Sequence, residues 1–452
     1  MSGLSRVAGI RSATSEEKRV VSAVATEVRL ERKTARAGIK FPMLVFVGIA
    51  AVLYLVAWQS HEHLPPNDTA AERCAPAERY EHDLCGRTAT AHFDGFLAGW
   101  LYDDTGWYSS IVQKGYSDGQ IANFKRGSQS SVAFFPSQPL IASQFNRTLD
   151  DPALSLICTT VIAGLLASIL FWTWCRDRLT ERQRRLALVV MLVYPYAWYL
   201  YGSGYADALF LASMLGAFIL LERDHPVWAG VVGMIATAGR PTGFAVAVGL
   251  CAVMLERRGV LFAPEDFRLT TLLAWPRRQL VALVERHQQI RRRDTGVLIS
   301  LGGLAAWCLY LAVRAGDPFA FATVQRAWHQ PSGFYTWLKL NFVRQVIHVP
   351  LFSVRLIAEF AMCAIFLACI PAIVRRLGIG YAILTASLIA IPLVGSADFQ
   401  GMGRYLLAAF PVFAVVGMSL ADNQRRARIV LTASASSLVV LTAFFATGAY
   451  LA

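Results

Sequence analysis

The chain alternates long apolar stretches with short polar, mostly arginine-rich segments. The apolar stretches run over 41–58, 153–174, 186–203, 205–221, 227–238, 243–255, 297–313, 350–373, 379–395, 404–421 and 428–450. A bilayer-crossing helix needs roughly 20 apolar residues, fewer where it is short or partly embedded. The pattern therefore predicts an all-α polytopic membrane protein with about 11 transmembrane helices. Two of the stretches, 227–238 and 243–255, are short and are parted by Gly239-Arg240-Pro241-Thr242-Gly243. They form either a tight hairpin or broken helices lining a cavity, where irregular backbone is tolerated.

The polar segments orient the spans. Basic residues gather at Arg29–Lys40, Arg176–Arg185, Arg257–Arg293, Arg375-Arg376 and Arg425-Arg426. With eleven spans, all five groups fall on one side, which the positive-inside rule makes cytoplasmic. Residues 1–40 then form a cytoplasmic basic tail, and 41–452 the transmembrane domain. The linker 256–294 mixes Leu269, Leu272, Leu273, Leu280, Leu283 and Val284 with arginine. It reads as an amphipathic segment on the inner membrane surface. The acidic first loop, 59–152, faces outward, as does the later loop 314–349.

Composition agrees. The 452 residues are 55% hydrophobic and 16% charged, with mean hydropathy +0.45; a soluble domain carries roughly 25% charged residues. The net charge of +13 belongs to the interspan linkers, so it marks topology and not a nucleic-acid-binding face. The polar start excludes a cleaved signal peptide at the N-terminus. The bias toward Arg and Ala suggests a bacterial plasma membrane. An endoplasmic reticulum membrane, with the site lumenal, is the eukaryotic equivalent.

Six cysteines lie in or beside apolar spans and read as packing residues. Cys74 and Cys85 lie in the first outer loop, where a disulfide and two free thiols are both open readings. Asn67-Asp68-Thr69 and Asn146-Arg147-Thr148 match a glycosylation sequon common by chance. Arg355 and Glu359, four apart on one helical face, read as a buried pair.

Polar residues that topology does not explain collect on the outer side. They include Asp103, Asp104, Lys114, Tyr205, Asp207, Arg240, Gln325, Arg326, Trp328, His329, His348, Asp398, Gln400 and Arg404. Ionisable residues at membrane depth are costly and point to function. Asp103 and Asp104 stand among Trp100, Trp107, Tyr108 and Tyr116, a setting for a base or a cation ligand beside a sugar or head group. Arg404 either snorkels to lipid phosphate or grips a substrate phosphate through two hydrogen bonds. Arg240 has the same two readings. No Gly-rich phosphate loop or HExxH motif is present, so a nucleotide-dependent or zinc-dependent reaction is not indicated.

These residues resemble those of the GT-C fold membrane glycosyltransferases, closest to the PIG-V type of mannosyltransferase and its bacterial relatives. The resemblance rests on Asp103-Asp104-Thr105-Gly106-Trp107-Tyr108, then Gly115-Tyr116 and Phe134-Phe135-Pro136-Ser137-Gln138-Pro139. It continues through Tyr205-Ala206-Asp207-Ala208-Leu209-Phe210, Ala238-Gly239-Arg240-Pro241-Thr242-Gly243, the Gln325–His329 stretch and Gly403-Arg404-Tyr405, in family order over roughly 100–410. Asp103 stands where the family has Trp, Asp207 where it has Glu, and Gln330 where it has Arg. The resemblance implies a GT-C-like fold and a polyprenyl-phosphate sugar donor, most simply mannose. It implies inversion at the anomeric carbon, with a glycolipid or glycan as acceptor.

By alignment the general base is Asp104, with Asp103 beside it either raising the working pKa of the pair or sharing a divalent cation. Arg404, then Arg240 and His329, would hold the donor phosphate. Trp107, Tyr108, Tyr116, Gln325, Trp328 and Tyr405 would line the substrate site. Polyprenyl-phosphate arabinose is the alternative donor. A lipid-linked sugar transporter or flippase is the alternative class, predicting internal repeats and charges at mid-membrane.

Overall fold

The computed structural model describes residues 38–65, 95–264, 269–328, 330, 333–348 and 350–451. The basic tail before residue 38, Cys74, Cys85, the Asn67 sequon and His329 lie outside the described residues. Among those described there are helices and turns and no strand. Five helical segments are long and apolar enough to cross a membrane: Lys40–His63, Pro152–Cys175, Arg292–Ala315, Val354–Leu377 and Gln424–Ala446. Pro226–Thr237, Ile379–Gly395 and Phe410–Ala421 are shorter and also apolar. The protein is a multi-pass helical membrane protein.

Each predicted apolar stretch contains helix, but three are interrupted where the sequence places proline. The stretch 186–203 is helical only to Leu192 and resumes as a 3-10 turn at Ala197–Leu200, on the far side of Pro195. The stretch 350–373 divides into Pro350–Ala368 and Ile370–Leu377, with Pro371 in the first turn of the second helix. The expected span 404–421 is two helices, Met402–Leu406 and Phe410–Ala421, with Pro411 opening the second. Proline lacks the N–H that would continue the ladder and is favoured at helix starts. Arg404 therefore does not open a continuous span. It sits in a separate short helix.

The Pro152–Cys175 helix is the hub. It starts on a clean cap, Asp151 accepting from the Leu154 N–H at 2.8 Å with Pro152 at the first position. More than half of its apolar window is buried, whereas at most a third is buried in the other four long helices. It packs against Lys40–His63, Ser137–Leu149 and Asp207–Glu222. At Gly164 the backbone of a neighbour comes so close that an added Cβ would stand 2.0 Å from the Leu200 carbonyl oxygen. Small residues at such crossings drive helix packing in lipid.

The arginine-rich linkers also form specific bonds. Arg258 donates to both carboxylate oxygens of Asp294 at 2.7 Å and to Asp224 at 3.0 Å. Glu256 caps the Ile379–Gly395 helix, accepting from the N–H groups of Ile379 and Gly380 at 2.8 Å each. The expected amphipathic linker contains a helix, Leu269–Arg286, with Leu280, Val281 and Val284 exposed.

The opposite end collects the segments that the sequence predicts to face outward. The first loop folds into Asp104–Lys114, Asp118–Lys125 and Ser137–Leu149. The Gly239–Gly243 break is a tight connection. Arg240 is extended, Pro241–Gly243 makes one 3-10 turn, and the helix Phe244–Arg257 follows.

Candidate active site

Four charged residues from four separate elements meet at this end. Asp104 opens the helix Asp104–Lys114, and Asp207 opens Asp207–Glu222. Carboxylates are favoured at both positions, because a helix N-terminus carries partial positive charge and unpaired N–H groups. Arg404 comes from the short helix that follows Gly401, whose φ of 78° permits the turn before it. Arg240 stands in the break between two membrane helices.

Arg404 joins the two acids. Its Nε donates to Asp207 Oδ2 at 2.8 Å, and its Nη1 donates to Asp104 Oδ2 at 2.9 Å. Arg240 Nη1 pairs with the other oxygen of Asp207. Asp207 thus anchors both guanidiniums. Side-chain exposure is 2% for Asp207, 5% for Arg240, 10% for Arg404 and 23% for Asp104, so the network is most open at Asp104.

Aromatic rings fix the guanidinium planes. Arg404 lies 4.4 Å over the Tyr205 ring and 5.1 Å over Tyr199. Arg240 lies 4.9 Å over Tyr405. Desolvated cation–π contacts of this kind are worth about 2 kcal/mol or more. The backbone N–H of Asp104 donates to the Tyr205 hydroxyl at 3.2 Å. Arginine has five N–H donors, and these pairings leave others on both guanidiniums.

Asp103 precedes this arrangement with φ 54° and ψ −118°. A non-glycine residue held there is strained, and strain of this kind clusters at functional sites. Among the described residues, no three His, Cys, Asp or Glu side chains gather as a metal-ligand set. Asp104 and Asp207 are bridged by guanidinium, so no step is assigned to a cation.

The predicted site residues divide into two groups. Asp103, Asp104, Arg240, Arg404 and Tyr405 come together. Trp107 and Tyr108 are buried about one turn along from Asp104; Trp107 stacks on Phe134 at 5.4 Å and meets Trp328 edge-on at 5.8 Å. Burial pushes the Tyr108 phenol above its ordinary value, against the nearby Arg404, and keeps it a hydroxyl donor. Tyr116 donates to the Phe134 carbonyl at 2.8 Å and packs on Trp307, joining the outer loop to a membrane helix. Gln325 donates locally to the Phe321 carbonyl. Trp107, Tyr108, Phe134, Tyr116 and Trp328 pack into one cluster on the helix that Asp104 opens.

Asp207 and Tyr205, which the sequence placed among the outer polar residues without assigning them a role, also belong to the cluster, as do Tyr199 and Tyr450, which it did not single out. Tyr450, near the end of the chain, lies within the electrostatic field of Asp103, Asp104 and Arg404. Asp207 left a signal: it is the single acid opening a run of apolar residues, Ala208–Leu221.

No family model matches the chain, and no curated protein does. Among solved structures, it is similar to ArnT from Cupriavidus metallidurans bound to undecaprenyl phosphate. That similarity has 12% identity and a TM-score of 0.44, over 90% of this chain and 76% of that one. It is also similar to the archaeal oligosaccharyltransferase AglB from Archaeoglobus fulgidus in complex with an inhibitory peptide and a dolichol-phosphate, at 12% identity and TM-score 0.39, over 90% of this chain. A second oligosaccharyltransferase structure from A. fulgidus, tethered with an acceptor peptide, gives 12% and 0.42. The chain spans just over half the length of these last two, 56% and 55%.

Proposed function

We propose that this protein is a GT-C-like membrane glycosyltransferase that moves a sugar from a polyprenyl-phosphate donor to a glycolipid or glycan acceptor at the outer face. The observation that carries the reading is the Asp207-anchored pair of arginines ending at the partly exposed Asp104. Two carboxylates balance two guanidiniums, so the network is sustainable at membrane depth, and spare N–H donors lie beside the one acid that opens outward.

The chemistry follows from that order of groups. An acceptor hydroxyl beside Asp104 gives its proton to the carboxylate, and its oxygen attacks the anomeric carbon from the face opposite the phosphate. The bond from that carbon to the phosphate oxygen breaks, the electron pair stays on the phosphate, and polyprenyl phosphate departs. The anomeric centre inverts. A positioned base contributes typically 10²–10⁴-fold. Arg404 and Arg240, held by Asp207 and by ring faces, meet the growing phosphate charge without reorganising. His329, assigned with them to the phosphate by resemblance, is a third candidate. Trp107, Tyr108, Tyr116, Gln325, Trp328 and Tyr405 shape the acceptor and sugar side. Mannose is the first donor to test, and arabinose the second.

The test is purified protein in nanodiscs with synthetic polyprenyl-phosphate mannose or arabinose and a glycolipid acceptor extract, read by mass spectrometry. A product one sugar heavier supports the reading. Movement of intact lipid-linked sugar between leaflets, without transfer, would replace it with the flippase.

A further inference from the structure

The helix 350–368 carries a glutamate, Glu359, whose side chain is fully buried. A carboxylate at that depth is costly, and its sequence partner Arg355 approaches only to 3.8 Å. Its short contact lies elsewhere: the Tyr196 hydroxyl donates to Glu359 Oε1 at 2.8 Å. The backbone N–H of Met402 lies nearby and donates to the Phe399 carbonyl at 3.0 Å.

Met402 opens the short helix that bears Arg404, and further contacts bind that helix to the same place. The Tyr194 hydroxyl donates to the Gly403 carbonyl at 2.9 Å. The Tyr196 ring presses on Gly403 so closely that an added Cβ would stand 2.2 Å from it. Tyr194 and Tyr196 lead directly into the 3-10 turn Ala197–Leu200, whose Tyr199 lies beneath the Arg404 guanidinium. On the other side, Arg355 Nη1 donates to the Tyr450 carbonyl, and Tyr450 borders the acids.

The geometry points to Glu359 as a positioning residue for Arg404: through Tyr196 and Arg355 it fixes the short arginine-bearing helix against the Tyr199 turn and the end of the chain. It touches neither substrate nor acid. Its effect is to set the angle from which Arg404 reaches Asp104, Asp207 and a donor phosphate. The catalytic consequence rests on the glycosyltransferase reading; the structural one does not.

Two measurements separate these. The first is hydrogen–deuterium exchange of the full-length protein in nanodiscs, comparing wild type, Glu359→Leu, Glu359→Gln and Tyr196→Phe. Glu359→Leu fills the volume but cannot accept. It should speed exchange across 401–407 and leave the Pro152–Cys175 helix unchanged, and Tyr196→Phe should do so more weakly. Glu359→Gln retains an acceptor for Tyr196 and should restore most of the protection. Unchanged exchange over 401–407 in folded Glu359→Leu overturns the inference, whatever the protein transfers.

The second is sugar transfer per folded enzyme. Misplacement of about 1 Å costs on the order of 10²-fold in rate. Glu359→Leu should therefore lose kcat on that scale, with rescue by Glu359→Gln. A glutamate that only stabilises the fold would lower the yield of folded protein and leave kcat unchanged, and that result also overturns the inference. Absence of transfer by wild type would count against the glycosyltransferase reading alone, because the exchange measurement still decides the role of Glu359.

Discussion

Arg404 Nη1 lies 2.9 Å from Asp104 Oδ2, joining residues 300 positions apart in the chain. The contact places the proposed base and the proposed phosphate ligand within one hydrogen bond of each other. Attack and leaving-group stabilisation are thereby set side by side at the open end of the network.

Asp104→Asn should abolish transfer while leaving the protein folded and inserted. The amide keeps the shape but cannot take the acceptor proton, so a loss of roughly 10²–10⁴-fold is expected. Asp103→Asn should impair less, because Asp103 stands at the strained turn before the helix that Asp104 opens. Turnover at matched expression checks both, and wild-type turnover in Asp104→Asn would remove it as base.

Asp207 tests the anchor. Removing one partner of a buried ion pair typically costs roughly 3–5 kcal/mol, because the remaining charge is left uncompensated. Asp207→Asn leaves Arg240 and Arg404 without their shared carboxylate, so the melting temperature and the activity should fall together. Asp207→Glu, which keeps the charge, should recover part of both. Thermal melts in nanodiscs with parallel assays are the measurement, and full stability in Asp207→Asn would contradict the anchoring role.

The helical architecture was legible because lipid forces long apolar runs, and most of those runs are helices in the structure. Breaks were less legible. Pro195 and Pro411 lie inside apolar stretches that hydropathy treats as continuous, yet they create the turns that carry Tyr199 and release Arg404. In the site, the acids and arginines stood out as charges in apolar surroundings. The direct Arg404 bridge did not, since nothing local in sequence says that residues 104, 207 and 404 share a point. Tyr199 was concealed by an aromatic-rich stretch in which packing and cation–π roles look alike. Trp107 and Trp328, which the resemblance assigns to substrate, pack on each other, and sequence cannot tell a stacking platform from a wall.

Orientation has its own test. Asp118 and Tyr335 are exposed at the end that holds the site, and Arg291 at the opposite, arginine-rich end. In a background without native cysteines, Asp118→Cys and Tyr335→Cys should react with an impermeant thiol reagent on intact cells, and Arg291→Cys only after permeabilisation. Asp398 is unsuitable as a reporter because it is buried and accepts from Asn341 and the Gln400 N–H. The opposite labelling pattern would turn the site to the cytoplasm.

Lys339 predicts a pH effect. It is buried at a left-handed backbone position, donates to the Ser396 carbonyl and lies near Phe399. Burial lowers its pKa from 10.5 to about 8, against the opposing pull of Asp398. A lysine whose folded pKa is depressed destabilises the fold while charged. The cost is full below about 8 and fades as pH rises toward 10.5. Thermal stability should therefore gain with pH across that window, and Lys339→Met should flatten the gain. An identical pH profile in the variant would assign the effect to another group.

The donor phosphate is decided at Arg404. Its Nε and Nη1 are directed at Asp207 and Asp104, and its plane is fixed by Tyr205 and Tyr199. The remaining donors therefore face a defined direction, which suits two oxygens of one phosphate. Lysine offers a point charge without that fork and cannot hold both acids in the same geometry. Arg404→Lys should lose much of the activity and Arg404→Ala nearly all of it. If the phosphate contact strengthens as the leaving group departs, kcat should fall together with donor affinity. The measurement is transfer from a synthetic polyprenyl-phosphate sugar, with binding of the free polyprenyl phosphate followed in parallel. Unchanged rate and unchanged binding in Arg404→Ala would reduce the residue to a structural bridge and move the phosphate to Arg240.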